Sequence, residues 1–125
     1  MTTVKEIITN GSLPEFAGQI VDLFEDSLYD AGIKFERRAP DDEDNNETLF
    51  YGEYYDMVAD PVRSQMEEII DQDFDFVNAQ KVRNAALEGL KETVKRAGAN
   101  KELGNVFYCE MDRKLTDLFS DWKLI

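Results

Sequence analysis

Apolar residues recur at helical intervals along most of this chain, and the clearest run lies between Leu13 and Asp30. Leu13, Phe16, Ile20, Leu23, Phe24, Ser27, Leu28 and Ala31 fall on one side when successive residues are turned by about 100°. Glu15, Gln19, Asp22, Glu25, Asp26 and Asp30 fall on the other. The pattern predicts an amphipathic helix held by its inner face, because burying each large apolar side chain contributes about 1.5–3 kcal/mol. Ser12-Leu13-Pro14-Glu15 has the form of a capping box at its start, and Gly32 is placed to end it. Thr3-Val4-Lys5-Glu6 repeats the capping-box form, so a helix of about two turns should come first, with Asn10-Gly11 as the break.

The period then changes. Ile33-Lys34-Phe35-Glu36-Arg37 alternates apolar and polar, and Thr48 to Tyr55 is rich in strand formers. Together they predict a small β-hairpin across residues 39–47, a flexible acidic loop. Asp60-Pro61 then reads as the start of a helix with Val62, Met66, Ile69 and Ile70 inside. Asp71 to Phe76 either continues that helix or breaks it and caps another, so 61–97 is one helix or two. Ala79, Val82, Ala86, Leu90 and Val94 give the stripe of a helix from Val77 to Ala97, with Gly98 placed to cap it and Glu92 able to meet Lys95 and Arg96. Leu103, Phe107, Met111, Leu115, Leu118 and Trp122 keep helical spacing to the end, a strand over Val106–Met111 being the alternative. No repeat or linker interrupts the series. The expected fold is mainly α (α+β): one domain over 1–125, of about four to five helices with a small β-hairpin.

Charge layout adds what periodicity cannot. Nineteen acidic and four basic residues lie between Glu15 and Asp75, a formal −15 within a total of −13. A field of that sign repels nucleic acid and attracts basic proteins. The chain has no histidine, which removes the usual general base near neutral pH and the commonest transition-metal ligand. Cys109 is the one cysteine, which excludes an internal disulfide and a thiolate-rich zinc site, and its neighbours Phe107, Tyr108 and Met111 predict a packed or half-packed thiol. No apolar run is long enough to span a bilayer, and the opening residues lack a signal peptide's apolar stretch, so the expected location is cytoplasmic.

Candidate chemistry is sparse. Asp71-x-Asp73-x-Asp75 opens like a calcium loop, but the positions that need glycine and a bidentate glutamate hold Phe76 and Val82. No glycine-rich phosphate loop, nucleophile elbow or metal-ligand spacing is present. The expectation is a non-enzyme with no cofactor and no metal, no direct contact with nucleic acid and none with membrane.

Three acidic groups remain as candidate partner-binding residues. Asp22, Asp26 and Asp30 form a row at i, i+4 and i+8 with about 6 Å between neighbours. Asp42, Glu43 and Asp44 form a second group, and Glu67, Glu68, Asp71 and Asp73, with Asp75, a third. Carboxylates spaced a little like backbone phosphates fit a basic channel. Tyr51, Tyr54 and Tyr55, interleaved with Glu53 and Asp56, add an aromatic surface, and a tyrosine beside a carboxylate is a good receptor for arginine. By composition and charge layout the chain resembles the small acidic inhibitors that phages and mobile elements direct at restriction or CRISPR nucleases. That resemblance implies a basic nucleic-acid-binding partner, inhibited by phosphate-backbone mimicry. The alternative is a small structural or adaptor protein forming a homo-oligomer or assembly through the apolar Phe107–Trp122 face.

Overall fold

The structure, a computed structural model, describes residues 4–38, 41, 49–97 and 103–122. Five helices occur among them: α1 (Val4–Thr9), α2 (Leu13–Asp30), α3 (Tyr51–Glu68), α4 (Phe76–Ala97) and α5 (Asn105–Asp121). Two glycines punctuate the beginning. At Gly11 (φ 73°) and Gly32 (φ 89°) the backbone enters the left-handed region that favours glycine. After α2 the Gly32 amide donates to Tyr29 and the Ile33 amide to Leu28, each at 2.9 Å, and buried Ile33 folds back beside buried Leu28. This is the Schellman arrangement, and the predicted end of α2 stands. The Gly11 and Ser12 amides do the same to Ile8 and Ile7 after α1. That explains why the expected Ser12 capping box does not form. Ser12 closes the preceding turn in a helical conformation and makes no side-chain cap, while Pro14 sits in the first turn of α2. The Thr3 box lies outside the described residues.

The β-hairpin is not formed among the described residues. Tyr51 to Tyr55 opens α3 instead, and the pairing that remains is one parallel bridge between Glu36 and Phe50. It consists of Glu36 donating to Leu49 and Tyr51 donating to Glu36, both at 2.9 Å. Strand propensity loses here because Tyr54, Val58, Ala59, Val62 and Met66 share a helical face that is buried throughout. The same packing carries α3 straight through Asp60-Pro61, so Pro61 lies inside the helix and Asp60 is not its N-cap. Residues 61–97 form two helices. Between them Ile69 and Phe74 turn inward, and Asp75 caps α4 by accepting the Asn78 amide at 2.8 Å. The buried Asn78 side chain donates to the Asp73 carbonyl at 2.8 Å and to Gln72 at 3.2 Å, which fixes the turn.

The predicted α4 stripe from Ala79 to Val94 is buried, and 105–121 is helix rather than strand. Gly98 lies outside the described residues. Contacts run in a ring: α3 packs most extensively on α4, α2 on α3, and α5 closes against α4 and α2. Phe16 of α2 stacks on Phe119 of α5, and Phe74 meets Phe119 edge-on, with centroids 5.5 and 5.4 Å apart. Trp122 donates its indole N–H to Gln19 at 2.7 Å. The apolar stripe of α5 is therefore used internally. Met111, Leu115 and Phe119 are buried, and Phe107, Leu118 and Trp122 pack against the core. Among the described residues no helix is long and apolar enough to cross a membrane.

Candidate partner-binding surface

Burial of Phe16, Ile20, Phe24 and Leu28 decides which way α2 faces, and with it where the carboxylates stand. Asp22, Asp26 and Asp30 are all exposed, as the helical period predicts. Three of the four basic residues in the acidic window are engaged elsewhere. Arg37 pairs with Glu25, Arg63 with Asp60, and Arg38 with Glu36 and Asp41. Among the described residues no salt bridge reaches Asp22, Asp26 or Asp30. The surroundings of the row differ along its length. The fields of Asp22 and Asp26 reach Tyr54 near the start of α3, whereas Asp30 borders α5, where Lys114 donates to Ser27 at 3.3 Å.

The three tyrosines separate into two kinds. Tyr54 is fully buried: its ring stacks on Phe35 with centroids 4.3 Å apart, and its hydroxyl donates to the Val21 carbonyl. Expected as a contact residue, it is instead a core residue, because the helical phase of α3 puts position 54 on the face it shares with Val58, Ala59, Val62 and Met66. Tyr51 and Tyr55 stay half-exposed on the α2–α3 seam, and the Tyr55 hydroxyl reaches over Gly18. Burial raises the Tyr51 phenol pKa, and the Glu25 and Asp22 carboxylates push it the same way while Arg37 opposes them. Burial likewise raises that of Tyr54, reinforced by Glu25, Tyr51, Asp22 and Asp26. The seam is thus a negative field with aromatic walls.

One component was missed in the sequence. The Arg37 guanidinium lies over the Tyr51 ring, 4.1 Å from its centroid, while pairing with Glu25. Sequence spacing puts Glu25 on the polar side of α2 and Arg37 in a short basic cluster. Nothing in that spacing says the two meet. The signal available was chemical: a tyrosine flanked by carboxylates suits a guanidinium, and this one comes from the chain itself.

The other acidic groups do not join this surface. Glu67, Glu68, Asp71 and Asp73 are exposed, but they stand at the far end of α3, about 24 Å along its axis from Tyr51. Asp75 caps α4. Asp42, Glu43 and Asp44 lie outside the described residues. Arg96, expected within reach of Glu92, pairs at 3.6 Å with Glu53 of α3. Cys109, expected to be packed or half-packed, is exposed on α5 because the buried positions of that helix run through Met111, Leu115 and Phe119. No group of acidic or thiol side chains among the described residues is arranged to hold a metal ion. Comparison with family models, curated proteins and solved structures finds no match to this chain.

Proposed function

We propose that this chain is a non-catalytic acidic binding protein that inhibits a basic nucleic-acid-processing partner by presenting carboxylates in place of backbone phosphates, as phage or mobile-element anti-restriction and anti-CRISPR proteins do. The observation that supports it most is the row of Asp22, Asp26 and Asp30, exposed and reached by no salt bridge among the described residues, on a helix whose other side is largely buried. Like charges at i, i+4 cost a helix about 0.2–0.5 kcal/mol per pair, and interspersed lysines would give solubility without that cost. Tyr51 and Tyr55 flank the row and add contact area for an arginine-rich surface. Association through such a surface is fast and salt-sensitive, since screening at 0.15 M ionic strength cuts the field beyond about 8 Å.

The test is competition. Basic restriction and CRISPR nucleases are titrated with the protein, and their residual DNA binding is measured at low and high salt. Wild type should displace DNA from its target at low salt. The variant Asp22→Asn/Asp26→Asn/Asp30→Asn should not, although it folds as well or slightly better. An unchanged affinity in that variant would overturn the role of the α2 row.

A further inference from the structure

We propose that Glu25 and Tyr51 form a guanidinium receptor which the chain's own Arg37 fills, and that an arginine from a partner is bound there by exchange. The inference rests on the reading of this face as one that takes a basic partner. It adds which cation is recognised and by what.

The argument begins with Glu25. Its side chain is only 12% exposed, yet it carries a carboxylate. A carboxylate so placed needs a cation with directed N–H groups, because leaving it unpaired away from water is costly. Arg37 meets that need and lays its planar head on Tyr51. Tyr51 is itself braced, edge-on, by Phe35 and by Tyr54, with centroids 6.4 and 5.9 Å away. Walls and carboxylate are held by the core.

The occupant is held differently. Arg37 remains 59% exposed and belongs to the non-helical segment after Ile33, whose backbone is tied at the neighbouring Glu36. Its side chain can swing out without moving any buried residue. The Asp22 carboxylate acts on the Tyr51 phenol in the same direction as Glu25 and is reached by no salt bridge among the described residues, so one arginine leaves the seam negative and a second guanidinium is drawn towards it. Arginine is favoured over lysine because a planar fork can pair with the carboxylate and stack on the ring together, whereas an ammonium is a compact charge.

The test uses the full chain with polyarginine and polylysine peptides of equal length. Arg37→Lys keeps the net charge and weakens the resident's hold on Tyr51. It should raise affinity for polyarginine about two- to fivefold, the range expected for one exposed cation–π contact. Affinity for polylysine should be unchanged, and adding Tyr51→Leu to Arg37→Lys should abolish the arginine preference. In the wild type, the Arg37 side-chain NMR signals should move towards solvent-exposed values as polyarginine saturates. If Arg37→Lys leaves the polyarginine-to-polylysine ratio unaltered, or the Arg37 signals stay put at saturation, the receptor is overturned while the acidic-surface reading stands. If neither peptide binds at low salt, the acidic-surface reading falls and the receptor falls with it.

Discussion

At position 54 a phenol is enclosed by apolar neighbours and still satisfied, because its hydroxyl donates to the Val21 carbonyl. Burial, helped by Glu25, Tyr51, Asp22 and Asp26, raises its pKa above the ordinary 10.0. An unfolded chain releases that proton near its ordinary value, while the folded chain keeps it. Stability from this group is therefore complete below about pH 10 and falls as the pH rises beyond it. Tyr51 is shifted in the same direction and adds to the slope. Tyr54→Phe should cost about 0.5–1.5 kcal/mol at neutral pH through the lost hydrogen bond, and should flatten the alkaline decline. Urea unfolding across an alkaline pH series reads both, and a variant whose decline parallels wild type would remove Tyr54 from the account. Residue type alone did not separate Tyr54 from Tyr51 and Tyr55. All three are candidate contact residues among acids, with at least one of them open to packing on the core, and the phase of α3 shows which one turns inward and leaves two on the seam.

On the scale of elements, the boundaries of α2 and the stripe of α4 were legible because a long apolar period and a left-handed glycine mark them without help from the rest of the chain. The start of α3 was not. Leu49 to Tyr55 favours a strand by residue type and a helix by spacing, and contact with Phe35 and Val21 decides between them. Pro61 misled for a related reason. It has no amide to offer the Met57 carbonyl, so it marks a helix start in isolation, yet α3 tolerates it. The tolerance has a visible partner in Gly89 of α4. A Cβ built there would stand 2.3 Å from the Met57 oxygen and 3.0 Å from the Val58 Cα. A glycine Cα–H therefore faces the carbonyl that Pro61 leaves without a helical donor, a weak hydrogen bond in place of a lost one. Because the clashing atoms are backbone, no rotamer change relieves them. Gly89→Ala should force α3 and α4 apart and cost about 1–3 kcal/mol or more, despite alanine's better helix propensity. A thermal midpoint equal to or above wild type would show that the two helices are not pressed together at Met57.

For the whole molecule, a formal charge of −13 acts on folding and on binding with opposite sign. Arg37, Arg38, Arg63, Arg83 and Arg96 each pair with a carboxylate, but the exposed carboxylates within the α2 row, and those within the α3–α4 turn, still repel their own neighbours. Added salt screens that self-repulsion, so the free protein should become more stable as ionic strength rises from a few millimolar towards 0.15 M, where the screening length is about 8 Å. The same salt should weaken the complex with a basic partner, because there the field is attractive. Melting temperature and partner affinity, measured over one salt series, should therefore move in opposite directions. Replacing Asp22, Asp26 and Asp30 by asparagine should flatten both trends, since it removes charge from the surface that repels itself and from the one that binds. A protein held only by apolar contacts would show neither trend. One that keeps its salt-dependent melting but binds independently of salt would carry its acidic surface for solubility alone.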